Sequence, residues 1–442
     1  MNQDRDSKPP GAGMPGNLAS PHQKVIGKSP SSKDILLQGA VEGHVLLKNE
    51  KGALPLKSPQ LISLFGYSAK AYDSYTPGAS GWNGGSSSST SSRLQIAPNG
   101  TLISGGGSGG NQPAYLSSPF EALSLRAHED GTSLWWDFHS GNPQIDASSD
   151  ACIVIGNAWA SEGSDRPGLH DDFTDALILN VASRCSNTIV VFHNAGVRLV
   201  DRFIEHTNVT ALIFAHLPGQ DSGRALTAIL YGDASPSGKL PYSVPRNESD
   251  FGAVKNATTP DGVYALFPQS DFSEGVFTDY RAFDAQNVTP RYEFGFGLSY
   301  ASFEYSDLVV TTAGEDADFA EFPSKPIVEG GHEDLWDVLV KVSATVKNTG
   351  DVTAAEVAQL YVGIPTNDAD ESESASPVRQ LRGFAKPVIK PGESAVVEFA
   401  LTRRDLSAWD VVAQNWLLQK GDYGIFVGSS SRKLPLASTL KI

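Results

Sequence analysis

Three runs of β-branched and apolar residues, CIVI at 152–155, TIVVFH at 188–193 and VTALIF at 209–214, are separated by stretches whose apolar residues recur at helical spacing. Nothing else in the chain limits its fold as strongly. Apolar runs without alternation mark strands buried on both faces, and strands that alternate with helices at this interval build a parallel sheet covered by helices. Phe173, Ala176, Leu177 and Val181 mark a helix over 173–184, and further helices are predicted over 197–205 and 221–231. Upstream the scheme is fainter. A helix from Ser32 carries Leu37, Ala40, Val41 and Val45 inward and ends in KNEKGALPLK. A strand at Leu61–Phe65, a weak one at Leu102 and Ile103, and a helix from Pro119 to about Ala127 follow. The expectation is a mostly parallel α/β sandwich domain over 35–250, preceded by a connector over 1–34 rich in Pro, Gly, Ser and Lys.

Beyond Trp336 the period changes to two. Val338, Val340, Val342, Ala344 and Val346 alternate with Leu339, Lys341, Ser343 and Thr345, and strand-like runs occupy 356–362, 394–401, 422–427 and 434–440. Turns such as KNTGD and KPGE divide them, which predicts a β-sandwich over 306–442 with DADESESAS as an exposed acidic loop. The segment 251–305, with FTDYRAFDAQNVTPRYEFGFGLSY at its end, is too aromatic for a flexible linker and too irregular for a helix, and reads as a connecting strap packed on domain surfaces.

Charge narrows the partners. The 442 residues carry 34 Lys and Arg against 50 Asp and Glu, a formal charge of −16, which opposes binding to nucleic acid or to an anionic membrane. No run approaches the roughly 18 apolar residues that span a bilayer, and MNQDRDSKPPGAG lacks the basic and apolar regions of a secretion signal, so nothing here anchors or exports the chain by itself. The two cysteines, Cys152 and Cys185, each stand at the amino end of a predicted neighbouring strand, where either a disulfide or two buried thiols fit. N-x-S/T sequons at Asn99, Asn208, Asn247, Asn256 and Asn287 are glycosylation candidates if the chain is secreted.

Chemistry in an open α/β sheet collects on loops leaving the carboxyl ends of strands. The loop after CIVIG holds Glu162, Asp165 and Arg166. A desolvated Glu162 there would act as a general acid with Asp165 and Arg166 shaping its loop, while the bland alternative is a solvated side chain. SGGGSGG at 104–110 satisfies both G-x-G-x-x-G and G-x-S-x-G, yet neither is followed directly by the helix that phosphate binding or a nucleophile elbow requires, and Pro113 intervenes. Glycines passing close to a neighbouring loop or ligand explain it better. The nine histidines form no metal-binding spacing. His170, Asp171 and Asp172 read either as cation ligands or as a solvated helix start, and His193 either as a cleft-lining or as a satisfied core histidine. Ser108, Asp165 and His193 supply the residue types of a hydrolase triad without a spacing that unites them.

VEGHVLLKNEKGALPL (41–56), ASEGSDRPGL (160–169), NTIVVFHNAGVRLVD (187–201), HLPGQDSGRALTAILYGDASPSGKLPYS (216–243), the aromatic segment at 277–300 and VRQLRGFAKPVIKPGE (378–393) together resemble the glycoside hydrolase family 3 β-glucosidases, particularly fungal ones. The resemblance is collinear over nearly the whole chain. It implies an α/β sandwich that supplies an acid/base Glu, a fibronectin type III-like domain behind it, no cofactor and no metal, and an extracellular location. It also implies an N-terminal (β/α)₈ barrel bearing the nucleophilic Asp, and this sequence begins after the point where that barrel would end. Glu162 is the acid/base candidate, on a loop shorter than in many relatives and with one Glu where they have two. On this reading the chain is the C-terminal part of a retaining β-glucosidase that releases terminal β-D-glucosyl residues, inactive or very weak alone, whose partners are the glucoside substrate and the missing barrel. Tyr72 and Trp82, in an aromatic loop, are expected to border the substrate, or simply to pack the loop. The alternative of another class is a non-catalytic carbohydrate-binding or scaffolding remnant. A third, an esterase using Ser108, is separated from both by the effect of replacing that serine.

Overall fold

The computed structural model describes residues 29–73, 96–107, 110, 113, 115–162, 166–255, 261–267, 269, 272–315, 317–366 and 376–442. The chain divides into two compact units, one up to Gly238 and one from Lys239 onward.

In the first unit a six-stranded sheet runs in the order β1-β6-β5-β4-β2-β3. Its strands are β1 (Val45–Asn49), β2 (Leu61–Phe65), β3 (Ser133–Asp137), β4 (Ala151–Ala158), β5 (Thr188–Asn194) and β6 (Val209–Phe214). All neighbours are parallel except β1, which lies antiparallel on β6. Every residue of β4, β5 and β6 is buried, as their unbroken apolar runs require of strands covered on both faces. Helices α1 (Ser32–Gly43), α2 (Pro119–Asp130) and α4 (Ser222–Tyr231) pack together, while α3 (Asp172–Ala182) rests on β4 and β5.

Four expectations need correction. The helix predicted from Ser32 buries Ala40 alone, and Val45 belongs to β1, because the chain turns extended at His44 and pairs with β6. Residues 197–205 form turns rather than a helix, although Val200, Phe203 and Ile204 are buried at helical spacing. Leu102 and Ile103 lie in a buried loop without strand pairing. Strand β3 went unpredicted.

Cys152 and Cys185 are joined in a disulfide, so of the two alternatives the bridge is the one observed, tying the start of β4 to the segment leading into β5.

The second unit contains the β-sandwich. One sheet orders β11-β8-β7 and the other β10-β9-β12-β13, from β7 (Phe303–Thr312), β8 (Val338–Asn348), β9 (Ala358–Gly363), β10 (Gln380–Ala385), β11 (Ser394–Thr402), β12 (Asp422–Gly428) and β13 (Leu436–Lys441). Val340, Val342, Ala344 and Val346 face the core as their alternation predicts, but a register shift between Val338 and Val340 exposes Val338 and buries Leu339. The strap is ordered. The Leu240 N–H donates to the Phe296 carbonyl and the Leu240 carbonyl accepts the Gly295 N–H, Asp284 pairs with Arg379 and Arg432, and the Tyr280 hydroxyl accepts the Leu381 N–H at 3.0 Å.

Candidate functional site

Strand β4 continues through Asn157 and Ala158, two residues past its apolar run, and then releases the loop that carries Glu162. Asn157 is fully buried and binds the segment lying beneath that loop: its Oδ1 accepts the Ala97 N–H at 2.9 Å and its Nδ2 donates to the Ala97 carbonyl at 2.8 Å. The side-chain amide thus replaces a strand neighbour. Four residues further on, Thr101 meets Ser222 of α4 at 2.8 Å between hydroxyls.

The glycines follow. Gly106 donates its N–H to the Ala160 carbonyl at 2.9 Å and forms an isolated parallel bridge with Ser161. A Cβ on Gly106 would stand 2.5 Å from Ser161 Oγ and 3.1 Å from the Trp159 ring. Gly107 has φ +74°, and a Cβ there would lie 2.2 Å from the Glu162 Cβ and 2.7 Å from Glu162 Oε2. Both positions favour glycine because an added Cβ would run into the Ser161 and Glu162 side chains of the neighbouring loop, and Gly107 also has a positive φ. SGGGSGG is thus the floor on which Glu162 rests, the close approach to a neighbouring loop expected above. Glu162 itself is exposed. Arg166 leaves the loop on its far side and donates to the Val197 carbonyl at 2.9 Å. Asp165, Ser108, Trp82 and Asn256 lie outside the described residues.

His193 ends β5 inside the core, fully buried. Its Nδ1 meets Ser68 Oγ at 3.0 Å and its Nε2 meets Ser222 Oγ at 3.0 Å. A neutral ring needs one donor and one acceptor, and hydroxyls supply either. Burial pushes its pKa down to about 3. It is a satisfied core histidine, both of whose ring nitrogens meet buried hydroxyls. The start of α3 is likewise not solvated at Asp171, whose Oδ1 caps the helix by accepting the Thr174 N–H at 2.7 Å. Buried Arg198 bonds Asp171 Oδ2 at 3.2 Å and Asp175 Oδ1 at 2.6 Å and stacks 4.8 Å from the Phe192 ring centroid. The role of Asp171 is structural, and no group of three or more His, Cys, Asp or Glu suited to a metal occurs among the described residues.

Tyr72 is half-buried; its hydroxyl donates to the Thr101 carbonyl at 2.8 Å and its ring lies against Gly100, which are contacts of loop packing. Of the sequon asparagines, Asn247 and Asn287 are exposed, whereas Asn99 and Asn208 are half-buried and Asn208 Nδ2 donates to the Ala182 carbonyl at 2.8 Å. Sequence reasoning overlooked two other residues. Trp135 and Trp136 on β3 are 61% and 55% exposed and line a cavity of about 660 Å³. Their type alone could have drawn notice, since indoles facing water are uncommon without a partner.

Residues 44–300 match the glycosyl hydrolase family 3 C-terminal domain, and residues 356–431 match a fibronectin type III-like domain. The chain belongs to glycoside hydrolase family 3. Among its relatives, "Probable beta-glucosidase M" of Aspergillus flavus is 54% identical over all of this chain and 55% of its own length. "Beta-glucosidase cel3A" of Pyricularia oryzae is 50% identical over the whole chain and 57% of its own length. This family 3 chain therefore spans little more than half of the curated relatives it matches. Solved structures agree: a β-D-glucoside glucohydrolase from Trichoderma reesei superposes with a TM-score of 0.80 at 35% identity, covering 93% of this chain and 56% of that one. A family 3 β-glucosidase from Neurospora crassa gives 0.83 at 30% identity, covering 95% and 58%.

Proposed function

We propose that this chain furnishes the general acid/base half of a retaining β-glucosidase, with Glu162 as the proton donor. The observation that carries the reading is the Glu162 carboxyl just past the carboxyl end of β4, on a loop seated on Gly106 and Gly107. Retaining enzymes need two carboxyl groups about 5 to 5.5 Å apart. Glu162 protonates the glycosidic oxygen as the bond to the anomeric carbon breaks and a second carboxylate forms the glycosyl ester. It then takes a proton from the water that displaces that ester. The second carboxylate is assigned to the part of the relatives that this chain does not match. An exposed Glu is a poor acid at neutral pH; a substrate and a second domain closing over it would desolvate it and raise its pKa. Arg166 and Asp165 hold the loop's shape.

The substrates on this reading are cellobiose-like and aryl glucosides with terminal β-linked glucose, drawn from cellulose breakdown. The buried disulfide fits an oxidising compartment, and the exposed Asn247 and Asn287 fit a secreted glycoprotein.

Joining the chain to the N-terminal part of the Aspergillus flavus relative gives the protein in which to test Glu162→Gln. Hydrolysis of glucosides with poor leaving groups should fall by roughly 10²- to 10⁴-fold, with activated leaving groups much less affected and azide restoring turnover as the glycosyl azide. Full activity on poor leaving groups would rule out the assignment. The unfused chain should turn over an aryl β-glucoside negligibly; appreciable turnover that Glu162→Gln abolishes would overturn the division between two halves.

A further inference from the structure

The cavity beside β3 has a chemistry of its own. Strand β3 closes one edge of the sheet, so among the described residues the main-chain groups on its outer side have no strand partner. Trp135 stands level with Ser63 and, through it, with Cys152 at the start of β4. The Glu162 loop begins beyond Ala158, six residues or about 20 Å further along. The cavity is therefore separate from the candidate catalytic loop.

Its lining pairs flat apolar surfaces with planar polar groups. Trp135 and Trp136 are exposed, and Trp136 is held in place by Phe120, 4.8 Å away between ring centroids. Asp137 uses Oδ1 to accept the His139 and Ser140 N–H groups, and Asp146 uses Oδ1 for Ser148, which leaves each Oδ2 without a partner among the described residues. Exposed Gln144 completes the rim. The volume of about 660 Å³ is that of a small-molecule site. A protein partner would need a mainly apolar patch, and the carboxylates break it up; they also repel phosphate. A pyranose fits. Its axial C–H face stacks on an indole while equatorial hydroxyls at its rim donate to the carboxylates and bond the amide.

We propose that this cavity is a second saccharide site that holds a β-linked gluco-oligosaccharide, a flat chain that lays a pyranose C–H face on Trp135. The choice of β-glucan rests on the β-glucosidase reading, but the test does not use turnover. The intact chain is titrated with cellopentaose and, separately, with α-linked maltopentaose, followed by calorimetry and indole fluorescence. Cellopentaose should bind and maltopentaose should bind at least tenfold more weakly. Trp135→Ala should weaken cellopentaose about tenfold, and Asp146→Asn should weaken it measurably while leaving the thermal midpoint unchanged. Since Trp135 and Asp146 are exposed, neither change should unfold the chain, and circular dichroism checks this. The proposal is overturned if cellopentaose does not bind at millimolar concentration, if both sugars bind alike, or if Trp135→Ala leaves binding unchanged. Loss of binding in Glu162→Gln alone would place the sugar at the other loop and equally overturn it. A concentration-dependent dimer that Trp135→Ala disperses, without sugar binding, would make the patch a contact between copies.

Discussion

Acidification from pH 7.5 to 5 should destabilise the first unit by about 4 kcal/mol through His193 and His44 alone. Burial lowers the pKa of His193 to about 3 and that of His44 to about 4, against 6.5 for an ordinary histidine. Both folded values lie below the unfolded one, so stability is full above pH 6.5 and is lost as pH falls from there toward the folded values. Over that window the unfolded chain takes up a proton that the folded chain refuses. Each group then contributes up to about 1.4 kcal/mol per pH unit, which integrates to about 2 kcal/mol apiece by pH 5. His216, lowered by burial, adds to the loss, while Asp175, raised by burial, works against it.

The decisive quantity is a difference of slopes. Urea unfolding at half-unit steps from pH 5 to 7.5 gives stability against pH for the chain and for His193→Gln. The variant should be less stable at pH 7.5, by about 1 to 3 kcal/mol, because an amide cannot satisfy both Ser68 and Ser222 as the ring does. Its loss of stability on acidification should be about 2 kcal/mol smaller than in the parent. Parallel curves would refute the reasoning, because they would mean that His193 titrates alike in both states and is not locked neutral in the core.

Replacing Cys152 and Cys185 together by Ser should lower the urea midpoint by an amount worth about 3 to 4 kcal/mol, the chain-entropy value for a bridge spanning 33 residues; reduction of the parent should reproduce it. Gly107→Ala in the joined enzyme should cut kcat on poor leaving groups at least tenfold while lowering the melting temperature, since a Cβ at φ +74° and 2.2 Å from that of Glu162 strains the loop and must move the carboxyl. Arg198→Met leaves two buried carboxylates uncompensated and should cost about 3 to 5 kcal/mol in the same urea assay, whereas the triple change with Asp171→Asn and Asp175→Leu should recover part of it.

The central strands were legible because nothing competes with their burial: an apolar β-branched run enclosed on both faces reads the same from either direction. The edges were not. Strand β1 continues the apolar rhythm of the helix before it, and only pairing with β6 distinguishes VLLKN from one more helical turn. Strand β3 is mostly exposed, so it lacks both alternation and a continuous apolar run, and its extended form depends on β2. At 197–205 the helical spacing was real, since Val200, Phe203 and Ile204 are buried. Single turns met that requirement there, with Phe203 and Ile204 donating to the Val200 carbonyl and no helix continuing.

The candidate site was half legible for a related reason. Glu162 could be placed at a strand end because strand ends follow from the strand. What lies beneath it could not, because the contact between Gly107 and Glu162 spans more than fifty residues, and a glycine demanded by a neighbouring side chain looks the same in sequence as one demanded by a phosphate. Absence of a following helix argued against the phosphate, but nothing in the glycine run named the loop above it. Asn157 posed the mirror problem: a polar residue ending an apolar strand reads as the strand's exit, yet it remains in the core because the Ala97 backbone satisfies its amide on both sides. The floor of the loop is therefore set by one buried side chain and two missing ones, and only the fold brings all three to the same strand end.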